Sequence, residues 1–141
     1  MNLTRIFLAV IGAFVAYMAL GFAVLGLFPS LKTEFLKYPA VYRDEKGQMS
    51  HMAVAMPAML LSIFVLTVLY SFVYQGGSGF FEGTRFGALI GLFAIGSFVL
   101  HNYANLNIGL KLTLQQCVIY FLEWLFVGIV IGLIYRPLLP R

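Results

Sequence analysis

Charged residues are scarce in this chain, and their scarcity indicates whether the chain is surrounded by water or by lipid. Only 10% of the 141 residues are charged, whereas an ordinary soluble domain is about 25% charged. Hydrophobic residues make up 62% of the sequence, and a soluble chain of this length could not bury so many of them in its interior. The longest polar segment, 29–49, is too short to form a core of its own. The composition therefore excludes a water-soluble domain and predicts a single integral membrane domain over 1–141.

Cysteine and clustered basic residues are lacking as well. Cys117 is the one cysteine, which excludes a disulfide within the chain. The nine basic residues are scattered around the ends of apolar runs, and this pattern favours membrane lipid rather than nucleic acid as the partner. No residue pattern identifies a cofactor.

What the chain does have is a set of four long apolar runs. They predict spans at about 4–28, 50–74, 83–105 and 112–135. A hydrocarbon core about 30 Å thick needs roughly 20 apolar residues in a helix, and each run meets that length. Because the connections are short, the prediction is an all-α, up-down-up-down four-helix transmembrane bundle. The longest loop places Leu31, Phe35 and Tyr38 on one helical face, which predicts a short interfacial helix between the first two spans.

The distribution of basic residues bears on the orientation in the membrane. With four spans, both termini share one side, which carries Arg5, Arg85, Arg136 and Arg141. The other side carries Lys32, Lys37, Arg43, Lys46 and Lys111. The positive-inside rule counts basic charges near span ends, and the amino terminus makes the two sides equal. Because three of the arginines abut span ends, the pattern favours cytoplasmic termini.

Small residues recur at helical spacing in three of the spans. They are Gly83, Gly87 and Gly91 in the third span, and Gly128 and Gly132 in the fourth. The first span has a longer seam, made of Ala9, Gly12, Ala16, Ala19, Ala23 and Gly26. Small residues let two membrane helices approach closely. These faces predict either close packing within one bundle or the interface of a homodimer.

Polar side chains gather in the second half of the chain around one carboxyl group. Glu123 is the single charge of the fourth run, and ionisable groups within a span usually face the bundle interior and mark a site. Gln116 and Tyr120 lie on the same helical face as Glu123. On the third span, a regular helix places His101 and Asn105 on the continuation of the glycine face. These five residues predict a polar intramembrane pocket with Glu123 at its floor.

Other interpretations of these residues stay open. Glu123 is a structural acid if it bonds to Tyr120, to Ser97 or to a backbone carbonyl. A metal site of His51, His101 and Glu123 has no H-x-x-x-H or E-x-x-H spacing to support it. An enzyme acting on lipid needs a nucleophile and a base, and no third residue orients the base of the i, i+4 pair Ser97–His101. The sequence thus favours a protein that is not an enzyme.

Two segments of the chain resemble a known group of proteins. The stretch 82–91, EGTRFGALIG, and the end of the fourth span, 128–136, resemble small four-span bacterial membrane proteins of a domain-of-unknown-function type. The resemblance covers mainly the third and fourth spans. It implies a four-helix bundle in a bacterial inner membrane, and it implies no activity, cofactor or functional residue.

Two functions follow as expectations. The first is a non-enzymatic structural or accessory protein that packs with itself, as a homodimer, or with a larger membrane complex through glycine-rich helix faces. The alternative is a minimal transporter or a ligand- or lipid-binding bundle that works through Glu123 and the surrounding polar side chains. The two differ at one position, because loss of ionisation in Glu123→Gln harms only the second function.

Overall fold

The structure, a computed structural model, describes residues 2–136, and these form helices and connecting loops. Four helices are long and apolar enough to cross a membrane, and we call them the first to fourth spans: Leu3–Leu27, Met52–Val73, Gly79–Asn105 and Leu110–Tyr135. The predicted all-α four-helix fold is confirmed. Two short helices, Pro29–Phe35 and Glu45–Ser50, lie between the first two spans. The former, called the loop helix below, includes Leu31 and Phe35 of the predicted helix and ends before Tyr38.

The fourth span is the centre of the bundle. It packs against both the third and the first span, and the second span packs mainly against the first. Gly12 faces Ile134, whereas Tyr17 pairs with Trp124, so the first and fourth spans run antiparallel. The last span in the sequence therefore closes the bundle on the first.

The glycines of the third span meet the backbone of the fourth. Gly79, Gly83, Gly87 and Gly91 are all buried in this helix contact. A Cβ atom on Gly83 would lie 2.5 Å from the carbonyl oxygen of Gly128, and Gly79 faces Gly132 in the same way. Such distances leave no room for a side chain, so the two helices touch backbone to backbone. The glycine faces of the third and fourth spans are thus occupied within the chain.

A stretch of π-helix interrupts the third span. It covers Ile95–Leu100, between the α-helices Gly79–Ala94 and His101–Asn105. A π turn closes with i→i+5 hydrogen bonds and so holds more residues than an α turn. As a result, the buried face continues from Gly91 to Val99, which is 1% exposed, and not to Phe98, which is 46% exposed. Residues after this segment therefore point in a different direction from the one that a continuous α-helix would give them.

The densest packing lies at the end of the bundle that carries the termini. Buried apolar residues from the first, second and fourth spans meet there: Ile6, Ala9, Val10, Ala13, Ile63, Tyr70, Val127, Ile131 and Tyr135. The Tyr70 ring meets the rings of Phe86 and Tyr135 edge-on, with centroids 5.3 and 5.9 Å away. This geometry is the favoured one for aromatic pairs, so the tyrosines act as packing side chains.

A carboxylate holds the glycine-rich turn between the second and third spans. Gly76 has a φ of 86°, a left-handed conformation that favours glycine. The Glu82 side chain accepts hydrogen bonds from the backbone nitrogens of Gln75 at 2.9 Å and Gly77 at 2.6 Å. Glu82 also lies in the first turn of the third span, where a negative charge suits the helix dipole. Its role is therefore to fix this turn.

At the opposite end of the bundle, the loop helix packs on the start of the fourth span. Leu31 forms a small apolar cluster with Ile108 and Leu112. The Tyr38 hydroxyl accepts a hydrogen bond of 2.9 Å from the backbone nitrogen of Gly109. The loop between the first two spans is thus attached to the loop between the last two.

An ion-pair cluster reinforces this attachment. The side chain of Glu34 is 5% exposed, and one of its oxygens accepts hydrogen bonds from Lys111 at 2.6 Å and Lys37 at 2.7 Å. These bonds hold the pKa of the Glu34 carboxyl below its usual range, with Lys111 the larger cause and Lys37 the second. The ionised form of Glu34 therefore stabilises the folded chain.

This cluster predicts a stability that falls in acid. Because the folded-state pKa of Glu34 is depressed, its stabilisation is complete above the ordinary glutamate pKa of about 4.3 and is lost as the pH falls through the lower folded value. We expect Glu34→Gln to lower the melting temperature at neutral pH and to have a smaller effect near pH 3. Thermal unfolding in detergent at both pH values measures this difference.

Glu45 supplies the matched control for that experiment. It pairs with Lys32 at 2.8 Å, but its side chain is 77% exposed and that of Lys32 is 57% exposed. Exposed ion pairs contribute little to stability, so Glu45→Gln is expected to melt like the wild type at neutral pH. Equal melting temperatures for the two variants would contradict the assigned role of Glu34.

Candidate functional site

A cavity of about 290 Å³ lies between the first and fourth spans, beneath the loop helix. We call it the Glu123 cavity. Its wall is formed mostly by residues of the first and fourth spans, with two from the loop helix and one from the second span: Tyr17, Met18, Gly21, Phe22, Val24, Leu25, Leu31, Phe35, Met52, Gln116, Ile119, Tyr120 and Glu123. The volume is near the lower end of the range for small-molecule sites, about 300 to 1,000 Å³. The cavity is therefore large enough for a small ligand.

The fourth span places three polar side chains on the wall of this cavity. Gln116, Tyr120 and Glu123 follow one another at helical spacing and all line it. Glu123 comes thirteen residues after the first residue of the span, Leu110, and twelve before the last, Tyr135, so it lies at the middle of the helix. The polar surface thus extends from the loop end of the bundle to the centre of the span.

Two buried acceptors on this wall have unused hydrogen-bonding capacity. Gln116 is 4% exposed and donates from Nε2 to the Tyr42 hydroxyl at 3.2 Å, while its Oε1 has no partner among residues 2–136. Glu123 is 8% exposed, and no group in the described part of the chain hydrogen bonds to its carboxyl. Buried polar groups nearly always have a partner, so a site with two open acceptors is suited to a ligand that donates.

The second span covers little of the cavity. In that span, the buried residues Ile63, Thr67 and Tyr70 all lie in the second half, towards the termini. Its first half contributes only Met52 to the cavity wall, and that side chain is 38% exposed. On the first span, Phe22 borders the cavity and is 66% exposed. The surfaces beside the cavity are therefore apolar and face the membrane.

The predicted polar cluster is brought together only in part. Gln116, Tyr120 and Glu123 line one cavity, whereas His101 and Asn105 are exposed and lie on no part of its wall. The π-helical segment rotates everything that follows it in the third span, so His101 and Asn105 do not continue the glycine face. The predicted pocket places Glu123 beside the third span, but in the structure Glu123 faces the first span. The reason is that the fourth span turns its glycine face to the third span.

The other predicted partners of Glu123 are engaged elsewhere. Ser97 donates a hydrogen bond to the carbonyl of Phe93 at 2.7 Å, and the imidazole of His51 contacts the carbonyl of Gly47 at 2.9 Å. Within residues 2–136, no three His, Cys, Asp or Glu side chains are close enough to share a metal ion. The proposed triad of His51, His101 and Glu123 is accordingly not assembled.

Tyr17 and Gly21 are wall residues that the sequence patterns do not select. Tyr17 is the single hydroxyl-bearing residue of the first apolar run, 6–28, and this is a signal that points to an interior position. Gly21 has open space where a side chain would begin, which no sequence pattern reveals. The surface of the fourth span that faces Tyr17 and Gly21 was not identifiable from the sequence, because the sequence does not show that the first and fourth spans are neighbours.

The chain was compared with family models, curated proteins and solved structures, and none of the three comparisons gives a match.

Proposed function

We propose that this protein is a small integral membrane protein that binds an amphiphilic ligand in the Glu123 cavity. One observation carries the proposal: a buried, mid-span carboxyl group lines a cavity of about 290 Å³ and has no hydrogen-bond partner within residues 2–136. An ionisable group inside a span is costly, by about 2.5 to 3.5 kcal/mol for a charge at the helix centre. A ligand that donates to Glu123 compensates that cost. The function is therefore that of a ligand-binding bundle or minimal transporter.

The route to the cavity follows from the packing at its two ends. The loop helix covers the loop end, where Leu31 and Phe35 form part of the wall. The aromatic core at the other end is closed by Tyr70 and its neighbours. Access is from the bilayer, along the exposed side chains of Phe22 and Met52. The ligand thus carries an apolar part that partitions into lipid.

Removal of the ionisable group tests the proposal. Glu123→Gln keeps the shape of the side chain but not its charge, and a hydrogen bond to a charged group contributes about 1.5 to 3 kcal/mol. We expect native mass spectrometry of protein extracted from membranes in mild detergent to detect one small molecule per wild-type chain. In Glu123→Gln the bound fraction falls about tenfold or more.

Glu45→Gln makes the same chemical change on an exposed loop and serves as the control. It is expected to retain the bound molecule at the wild-type level. Equal bound fractions in Glu123→Gln and the wild type, or a wild-type chain without a bound molecule, would refute a ligand site at Glu123.

A structural or accessory role through self-association is the second candidate. The glycines of the third and fourth spans contact each other within the chain, so such an oligomer has to use other faces. The exposed half of the first-span seam, Ala19, Ala23 and Gly26, is available. Gly26 has no atom within 4 Å of the position where a Cβ would lie. The same mass spectra count the chains per particle and so distinguish a monomer from a homodimer or a larger complex.

We also propose a bacterial inner membrane as the location, with both termini in the cytoplasm. The basis is the resemblance of 82–91 and 128–136 to small bacterial membrane proteins, and the three arginines next to span ends.

A further inference from the structure

We propose that the ligand of the Glu123 cavity is a protonated amine attached to a short apolar body. This inference rests on the proposed binding function and adds the chemical class of the ligand. It follows from the single carboxyl group of the wall, from the unpartnered acceptors and from the aromatic rings beside them.

The wall of the cavity holds one carboxyl group and no basic group. Among the described residues that line it, none is Lys, Arg or His, and Glu123 is the one carboxylic acid. At the loop end of the bundle, Lys37 and Lys111 donate to Glu34 and so are committed to another carboxylate. An anionic ligand finds no cation on this wall, whereas an ammonium group pairs with the Glu123 carboxylate and favours its ionised form.

Two hydrogen-bond acceptors of the wall have no donor within residues 2–136, namely the carboxyl of Glu123 and the Oε1 atom of Gln116. Tyr17 and Tyr120 also line the cavity, and the hydroxyl of each can donate or accept. Gln116 and Glu123 are separated by seven positions, or about 10 Å along a helix. A ligand with N–H groups satisfies an acceptor that a quaternary ammonium or an ether leaves unpaired. The chemistry therefore favours an ammonium that still carries hydrogen.

Aromatic rings complete a cation site around Glu123. Tyr17 and Tyr120 line the cavity beside it, and the Tyr17 ring packs against Trp124 with centroids 6.1 Å apart. The faces of tyrosine rings attract ammonium groups, more strongly when water is excluded. The remaining wall, including Leu25, Phe22 and Ile119, is apolar and suits an alkyl chain.

A titration with matched eight-carbon probes tests this inference on the full-length protein. The chain is placed in phosphatidylcholine nanodiscs, and n-octylamine and n-octanol are titrated by calorimetry, with empty discs as the reference. At neutral pH octylamine is protonated, as a lysine side chain is. We expect octylamine to bind one site per chain, with an affinity about tenfold or more above that of octanol. Glu123→Gln should remove that difference, and Glu45→Gln should keep it.

The outcomes separate this inference from the function on which it rests. Equal affinities for octylamine and octanol overturn the amine as the ligand class while leaving a cavity that binds amphiphiles. The absence of saturable binding for both probes overturns the binding function as well. A third arm uses discs that contain phosphatidylethanolamine, whose headgroup is also an ammonium. Weaker octylamine binding in those discs identifies the lipid as the natural source of the amine, and unchanged binding identifies a free amine.

Discussion

Replacement of Gly87 by isoleucine is expected to prevent assembly of the folded bundle. A Cβ atom at this position would lie 2.7 Å from the carbonyl oxygens of both Trp124 and Leu125, and 2.9 Å from the Leu125 Cα. All three atoms belong to the backbone of the fourth span, so they cannot move aside as a flexible side chain would. Overpacking a tight core costs about 1 to 3 kcal/mol even where side chains yield. Isoleucine adds three further carbons to that contact, so the third span has to separate from the fourth.

Gly96 provides the matched control in the same span. No atom lies within 4 Å of its Cβ position, so Gly96→Ile makes the same substitution where there is open space. Thermal unfolding in detergent, followed by circular dichroism, is expected to give a melting temperature close to that of the wild type for Gly96→Ile. For Gly87→Ile we expect a large decrease or no cooperative transition.

The same pair of variants separates the two roles that the sequence leaves open for the glycines. If Gly87→Ile gives a folded monomer from a wild-type dimer, the glycine face is an interface between chains. If it unfolds the chain, the face holds the third span against the fourth, as the contacts of Gly83 with Gly128 and of Gly79 with Gly132 require. A Gly87→Ile protein with wild-type stability and oligomeric state would contradict both roles.

The sequence was sufficient to predict the four spans and one wall of the Glu123 cavity. Four apolar runs of membrane length predict four spans, since no other structure satisfies the backbone in lipid at that composition. Gln116, Tyr120 and Glu123 lie in an uninterrupted α-helix, so the 3.6-residue period placed them together correctly. The part of the cavity that one regular helix builds was therefore predictable.

The rest depended on events that leave little trace in the sequence. His101 and Asn105 were placed on the glycine face by extending a regular helix through Ile95–Leu100, where the helix is in fact π-helical. Gly96 and Ser97 lie in this segment, and neither residue type by itself indicates a π turn. A single extra residue per turn was enough to move both polar side chains off the glycine face.

The opposite wall of the cavity was missed for a different reason. It comes from the first span, which is far from Glu123 in the sequence, and pairing of distant helices depends on packing that hydropathy does not encode. The fourth span presents a glycine face to the third span and so turns Glu123 towards Tyr17 and Gly21. The cavity could be predicted only if the pairing of the first and fourth spans were known, because the three polar residues of the fourth span form one wall and the first span forms the other.

Filling the cavity from its first-span wall is expected to weaken ligand binding strongly without unfolding the protein. Gly21 lines the cavity, and no atom lies within 4 Å of its Cβ position, so Gly21→Phe introduces a ring without a clash at its base. The ring and an eight-carbon ligand then compete for about 290 Å³ of space. Accommodating both requires overpacking of about 1 to 3 kcal/mol, which weakens binding roughly ten- to a hundredfold.

Gly26 makes this experiment specific to the cavity. It lies on the same helix, is equally open at its Cβ position and is not part of the cavity wall. Gly26→Phe is therefore expected to bind n-octylamine and n-octanol in nanodiscs as the wild type does, whereas Gly21→Phe binds both probes roughly ten- to a hundredfold more weakly. Both variants should melt close to the wild-type temperature, because the Cβ atom added at each position meets no other atom. Since both probes enter the same space, this result is independent of the charge of the ligand. Undiminished binding by Gly21→Phe would mean that the ligand site is not the cavity beside Glu123.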